Sequence, residues 1–127
     1  MKITPMPLRT TILRHQTEPE GPPAHFDWLL EPDRSAGGPD RRDVITWRCP
    51  RRPDRLEIGE TTPILRISPH RRAWLSHSVG LERLLPTPLG SATVITRGEA
   101  NLAGTLPLEV GILWSQSSEA HRYRIDE

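Results

Sequence analysis

Apolar and polar residues alternate along several short stretches of the chain, most sharply over residues 25–31 (HFDWLLE). Successive side chains of an extended strand point to opposite faces. Phe26, Trp28 and Leu30 therefore share one face of a predicted strand. The other face carries the remaining side chains, which are His25, Asp27, Leu29 and Glu31. The pattern predicts a strand that is anchored by apolar side chains and presents a histidine and an aspartate together.

Similar short runs, separated by turn residues, predict the other strands. We expect strands at residues 10–15, 43–49, 56–58, 63–68, 72–77, 91–98, 101–106, 108–114 and 121–125. Residues 81–89 contain two prolines and are expected to form a connection, and residues 1–9 an N-terminal arm. Many short strands with turns between them are typical of a barrel or a sandwich. We predict an all-β fold, a small and mostly antiparallel β-barrel with short or no helices.

Composition supports one β-rich domain over residues 1–127, because the chain has 14 prolines and 9 glycines and only 35% hydrophobic residues. The net charge of +1 provides no overall attraction for nucleic acid. The basic residues are nevertheless one lysine and sixteen arginines, a bias that fits either phosphate recognition or a GC-rich genome. Only one cysteine is present, and no secretory signal or membrane span is recognisable. We expect a cytoplasmic protein without a membrane partner.

His25 and Asp27 form the most informative pair, because residues two apart on a strand project from the same face. His15 ends the preceding predicted strand, and a hairpin through residues 16–24 would place it beside His25. Two histidines and one carboxylate suit Mn, Fe or Zn and leave positions open for water and substrate. The plain alternative is a set of polar residues on a solvated strand face.

His70 is the next candidate. Alternation in PILRIS places Leu65 and Ile67 inside, so Arg66 and His70 would share the opposite face if the strand direction persists past Pro69. A histidine beside an arginine is a plausible phosphate clamp, although both are also ordinary surface residues. Trp74 falls on the His70 side, whereas the other three tryptophans alternate with apolar residues and are expected in the core.

The series ILRH, HFDWLLE, ITWRCP, PHRRAW and GSATVITRG resembles the 3′-phosphoesterase domain of bacterial DNA ligase D, and more closely its stand-alone relatives. The resemblance covers about residues 11–100, and HFDWLLE is its specific part. It implies a compact β-barrel with a Mn²⁺-dependent activity that removes 3′-phosphates and 3′-ribonucleotides from DNA ends. By position it implies His15, His25 and Asp27 as metal ligands, with His25 and Asp27 also catalytic. His70 would be catalytic and phosphate-binding, and Trp74, which stands where the family has a tyrosine, would also bind phosphate.

The chain departs from this family at the residues that hold phosphate. Leu29 occupies the place of an arginine in the family pattern H-x-D-x-R, and Ser68 replaces an acidic residue two positions before the phosphate-binding histidine. Loss of a charge-assisted phosphate contact commonly costs roughly 1.5–3 kcal/mol. Arg66 is the residue that we expect to compensate.

Three functions remain open from the sequence. The first is a metal-dependent phosphoesterase that acts on nucleic-acid 3′ ends in DNA repair, with end-joining repair proteins as partners. The second is a degenerate relative that binds DNA ends or a protein partner without catalysis. The third is a non-haem iron oxygenase that uses His25, Asp27 and His70 as its facial triad.

Overall fold

The computed structural model describes residues 6–21, 24–34, 37–102 and 108–127, and it confirms the all-β class. Within these ranges the strands are β1 Leu8–Gln16, β2 His25–Leu30, β3 Arg42–Cys49, β4 Leu65–Arg71, β5 Glu82–Leu84, β6 Ser91–Leu102, β7 Leu108–Trp114 and β8 His121–Ile125. The helices are two short 3-10 turns, Pro53–Arg55 and Arg72–Leu75. No helix in the described ranges has the length and apolarity that a membrane crossing requires.

The strands form one curled antiparallel sheet in the order β4-β3-β2-β1-β6-β7-β8, with β5 paired to the free side of β6. The sheet forms a half-barrel, and every strand pair in the described part of the chain is antiparallel. The predicted antiparallel barrel-like architecture is therefore confirmed. The hairpin β1–β2 and strand β3 lie at its centre, and they position the candidate site.

One face of the sheet packs around aromatic side chains. Trp28 lies 5.3 Å from Trp47 and 5.3 Å from Tyr123, measured between ring centroids. Trp114 Nε1 donates a hydrogen bond to the Tyr123 hydroxyl, which donates in turn to the Pro53 carbonyl. The first 3-10 helix therefore closes this core, and the burial of three large aromatic side chains makes it the principal apolar cluster.

The opposite face of the sheet carries a second, smaller apolar cluster. Its buried members are Leu13, Leu29, Val44, Trp74, Leu75, Ala92 and Val94. The second 3-10 helix supplies Trp74 and Leu75 to this cluster, which includes Leu29 from the face of β2 that also carries His25 and Asp27. Those two residues therefore stand at the margin of a packed cluster, and the plain alternative of a fully solvated strand face does not hold.

A buried ion-pair network fixes the second 3-10 helix. Arg72 is only 3% exposed, and it donates to both carboxylate oxygens of Asp43 at 2.8 and 2.9 Å. It also contacts Glu31, whose carboxylate accepts three hydrogen bonds from Arg9. Since Glu31 ends the HFDWLLE stretch, the network ties the end of β2 to β3 and to the segment after β4.

Four sequence predictions need correction. The pattern predicts a strand at residues 72–77, but Arg72–Leu75 is a 3-10 helix, because the backbone N–H groups of residues 72 and 73 bond to the carbonyls of residues 41 and 39. The expected strand at residues 56–58 is absent: Leu56 caps the first 3-10 helix, and Glu57 and Ile58 lie in a turn that closes from Glu57 to Glu60. The connection at residues 81–89 contains β5, and the arm ends early because β1 begins at Leu8. Of predicted strand 101–106, residues 101–102 extend β6 and the others lie outside the described residues.

Candidate metal site

The β1–β2 hairpin brings the two predicted histidine ligands together. His15 and His25 are directly opposite each other in the antiparallel register, and Leu13 is opposite Asp27. His15 Nδ1 lies 2.8 Å from His25 Nε2, and the two rings meet edge to face with centroids 4.4 Å apart. His25 Nε2 lies in turn 3.2 Å from Asp27 Oδ1. Two strands thus place two imidazole nitrogens and one carboxylate oxygen around a common point.

A backbone contact fixes the orientation of the His15 ring. His15 Nε2 lies 2.5 Å from the carbonyl oxygen of Leu89, an atom that can only accept a hydrogen bond. His15 Nε2 therefore carries the proton, and Nδ1 is left with its lone pair directed toward His25 in the neutral ring. A backbone carbonyl that holds the distal N–H is the usual way in which a metal-binding histidine is oriented.

Gly90 allows this carbonyl to reach His15. Its φ of +79° lies in the left-handed region, and a Cβ placed there would clash with the Gln16 carbonyl oxygen. Any other residue would meet the backbone at the end of β1. The close approach of the turn before β6 to β1 is therefore possible only with glycine at this position.

Asp27 lies at the centre of the cluster and is 5% exposed. Its Oδ2 is 3.5 Å from His70 Nε2, while its buried Oδ1 has no hydrogen-bond partner within the described residues. A buried carboxylate oxygen without a donor is costly, because it loses hydration and gains nothing in return. Asp27 Oδ1 is thus a buried acceptor that lies beside His25 Nε2 and is left unsatisfied by the described part of the protein.

His70 reaches the opposite side of Asp27 from β4, where it pairs with Val44 of β3. His70 Nδ1 lies 3.2 Å from Thr46 Oγ1, and the Thr46 hydroxyl donates to the Val44 carbonyl. Since that hydroxyl proton is engaged, Thr46 Oγ1 accepts, and the Nδ1 of His70 carries a proton. His70 Nε2 is therefore the nitrogen that can act at the site.

Burial and the neighbouring charged groups shift the pKa of His25 in opposite directions. Burial lowers the pKa of His25, and the nearby Asp27 carboxylate acts in the opposite direction. Arg48 lowers the pKa further, as do His15 and His70. The Arg48 Nε atom lies 3.9 Å from Asp27 Oδ1, so one guanidinium stands beside the cluster. The net result favours a neutral His25 ring, which is the form that binds a metal.

The cluster fits a divalent cation. One ligand atom from each of His15, His25 and Asp27 lies within 4.8 Å of the other two. Two ligands about 2.0–2.2 Å from one metal are separated by at most roughly 4.4 Å. The distances from His25 Nε2 to His15 Nδ1 and to Asp27 Oδ1, 2.8 and 3.2 Å, lie inside this limit. The Asp27 oxygen that lacks a donor, Oδ1, is the one that lies 3.2 Å from His25 Nε2. Their roles as ligands stay predictions.

Arg66 and Trp74, which the sequence predicts for phosphate binding, are not available to a phosphate at the cluster. The strand pattern puts Arg66 on the face of His70, but the Arg66 guanidinium lies 5.3 Å over the Trp47 ring and bonds to Glu127 at 2.9 Å. The cause is a register shift: β3 advances two residues between its pairings with His70 and Ile67, while β4 advances three. The extra residue reverses the side on which Arg66 projects.

Trp74 also departs from its predicted role. Its ring is 7% exposed and packs in the second apolar cluster, with His77 at 5.1 Å between ring centroids. The segment predicted as a strand is a 3-10 helix, which places Trp74 on the site face of the sheet but buries its side chain in the apolar cluster, where it is not available to phosphate. The Trp74 side chain therefore packs in the apolar cluster beside the site.

Sequence reasoning missed three groups that surround the cluster: Thr46, Arg48 and the Leu89 carbonyl. The alternation in DVITWRC contained a usable signal, because Ile45 and Trp47 on one face leave Thr46 and Arg48 on the other. The register then pairs Arg48 with Asp27. The Leu89 carbonyl belongs to a distant turn, and no local pattern indicates it.

Cys49 offers no second reactive centre. It is fully buried in the aromatic core, and burial raises the pKa of its thiol to about 12. A thiol with such a pKa is almost entirely protonated near neutral pH and is a poor nucleophile or metal ligand.

Fold and site together define the class of the protein only broadly, as an all-β half-barrel with a two-histidine, one-aspartate cluster. No protein-family model, curated protein or solved structure matches the chain. Indications of function therefore come from the geometry of the cluster and from the sequence resemblance.

Proposed function

We propose that the protein is a metal-dependent phosphoesterase that removes phosphate or a ribonucleotide from nucleic-acid 3′ ends in DNA repair, with Mn²⁺ as the metal and the cytoplasm as its compartment. The observation that carries the proposal is the convergence of one ligand atom from each of His15, His25 and Asp27 within 4.8 Å, with His70 on the Oδ2 side of Asp27. The sequence resemblance to the ligase D 3′-phosphoesterase domain supplies the substrate class.

The cluster suits such chemistry because it supplies three ligands and leaves further positions open. His15, held by the Leu89 carbonyl, presents Nδ1, and His25 presents Nε2. A divalent cation bound there polarises phosphoryl oxygens and lowers the pKa of a bound water. The rigid hairpin register keeps the ligand nitrogens and the Asp27 oxygen in place before substrate arrives.

His70 would act on the phosphate from the Oδ2 side of Asp27, whereas His25 lies beside Oδ1. Thr46 accepts a hydrogen bond from Nδ1–H, so Nε2 faces the site, and in the imidazolium form of the ring it would donate a proton to a phosphate oxygen or to the leaving oxygen. His70 is less buried than Asp27, with 23% of its side chain exposed against 7%, as a residue that meets substrate requires. The arrangement therefore separates the three metal-binding side chains from the substrate-facing histidine.

A defined assay tests the proposal. Purified protein with Mn²⁺ is expected to release phosphate from a 3′-phosphorylated primer, or a nucleoside from a primer with one 3′-ribonucleotide. His25→Ala should reduce turnover by at least about a hundredfold, since losing a ligand removes the cation. His121→Ala is the matched control, because His121 lies on β8 in the hairpin with β7 and contacts Tyr123. Absence of turnover on both primers by metal-loaded wild-type protein would overturn the catalytic proposal.

A second candidate is a member without catalysis that binds DNA ends or an end-joining repair protein. The observation that favours it is Leu29, which stands where the family has an arginine and is fully buried in the second cluster. That position can no longer contact phosphate. Binding of 3′-phosphorylated DNA that is insensitive to Mn²⁺ and yields no product would distinguish this candidate from the first.

A further inference from the structure

We propose that Arg48 provides the guanidinium that holds the phosphate of the substrate, and that Thr46 and Arg48 together make β3 the strand that builds the phosphate side of the site. The inference rests on the proposed phosphoesterase function and adds to it a residue that the sequence pattern did not single out. Its basis is the position of Arg48 directly opposite Asp27 in the β2–β3 register.

Arg48 projects from the face of the sheet that carries the candidate metal site. Asp27, Thr46 and Arg48 project from the same side of the sheet, since Thr46 contacts His70 and Arg48 contacts Asp27. The Arg48 side chain is 44% exposed, whereas that of Asp27 is 7% exposed. Arg48 therefore stands at the mouth of the cluster, between the buried carboxylate and solvent.

The contact between Arg48 and Asp27 leaves the guanidinium with capacity for an anion. Arg48 Nε is 3.9 Å from Asp27 Oδ1, which is an ion-pair distance and too long for a hydrogen bond. A guanidinium carries five N–H donors in a planar fork that matches phosphate oxygens. A structural salt bridge would show closer geometry, such as the Arg72 contacts with Asp43 at 2.8 and 2.9 Å.

Arg66, the arginine expected to compensate for Leu29, cannot serve this role. Its guanidinium stacks on Trp47 and bonds to Glu127 on the opposite face. Thr46 and Arg48, two residues apart on β3, share the face that His70 reaches, whereas the register shift in the β3–β4 pairing puts Arg66 on the other face. Phosphate held by Arg48 would thus lie beside His70 Nε2, which faces the same Asp27 carboxylate.

The proposal predicts changes of opposite sign in two affinities. Arg48→Ala removes a positive charge beside Asp27, so the affinity for Mn²⁺ should rise about two- to fivefold. It also removes a charge-assisted contact, so the affinity of Mn²⁺-loaded protein for inorganic phosphate should fall about tenfold or more. Arg48→Lys keeps the charge without the fork, and should retain wild-type Mn²⁺ affinity while recovering only part of the phosphate affinity.

The measurements are a Mn²⁺ titration and the broadening of the phosphorus resonance of inorganic phosphate by protein-bound Mn²⁺. Arg66→Ala is the matched control, since its side chain is 48% exposed and lies on the other face; both affinities should stay unchanged. Wild-type phosphate affinity in both Arg48→Ala and Arg48→Lys would overturn the role of Arg48 and leave the proposed function standing. Failure of wild-type protein to bind Mn²⁺ or phosphate would count against the proposed function itself.

Discussion

At the residue scale, the site depends on hydrogen bonds that determine which nitrogen of each histidine is free. His15 is held at Nε2 by the Leu89 carbonyl, and His70 at Nδ1 by Thr46. The two rings therefore present different nitrogens toward the centre of the cluster. Partners of this kind commonly change metal affinity by 10- to 100-fold when they are removed.

The variant Gly90→Ala tests whether the hydrogen bond to the Leu89 carbonyl orients His15 for metal binding. Gly90→Ala would force its Cβ against the Gln16 carbonyl, which a backbone shift of the turn must relieve, and the Leu89 carbonyl would move away from His15. We expect Mn²⁺ affinity to fall roughly 10- to 100-fold in a protein that remains folded by circular dichroism at low temperature.

The control for Gly90 is Gly59→Ala. Gly59 has φ +88°, and no atom of the described residues lies within 4 Å of the place that a Cβ would take, so the substitution introduces the same backbone strain without the clash. Its stability should fall by about 1 kcal/mol with Mn²⁺ affinity unchanged. Equal Mn²⁺ affinity in the two variants would show that the Leu89 contact does not orient His15.

At the element scale, the second 3-10 helix depends on the buried Arg72 network. Arg72→Ala would remove the two short hydrogen bonds to Asp43 and a longer contact with Glu31. We expect the free energy of unfolding to fall by about 3–5 kcal/mol. Urea denaturation measures this loss. Arg124→Ala is the control, because Arg124 is exposed and pairs with exposed Asp126, and its effect should stay within about 0.5 kcal/mol.

The same network predicts how stability depends on pH. Hydrogen bonds from Arg72 hold the pKa of Asp43 below its usual value, and those from Arg9 outweigh burial and do the same for Glu31. A carboxyl with a depressed folded pKa contributes stability above its unfolded pKa of about 4, and loses it as pH falls through the folded pKa. Stability should therefore drop below about pH 4, and less steeply in Arg72→Ala. An equal slope in both proteins would contradict this account.

Alternation along single elements predicted much of the fold and of the site. It defined the faces of β2, and the short loop after β1 predicted the pairing of His15 with His25. What it could not predict depends on contacts between distant segments. The β3–β4 register shift that separates Arg66 from His70, and the backbone bonds that turn residues 72–75 into a helix, have no local signature.

At the scale of the whole molecule, the main apolar core and the candidate site lie on opposite faces of the half-barrel sheet. The aromatic cluster, closed by Tyr123 and the first 3-10 helix, fills one face of the sheet. The candidate site stands at the margin of the smaller cluster on the other face. Substitutions of the site residues are therefore expected to leave the aromatic core intact.

The central claim is that His15, His25 and Asp27 bind one divalent cation, and a Mn²⁺ titration followed by electron paramagnetic resonance tests it most directly. The signal of free Mn²⁺ should disappear in proportion to wild-type protein up to one equivalent. Asp27→Asn should lose this binding, because the carboxylate charge at the centre of the cluster is removed while its size is kept. Wild-type protein that leaves the free Mn²⁺ signal undiminished, or Asp27→Asn that binds as tightly as wild type, would contradict the account.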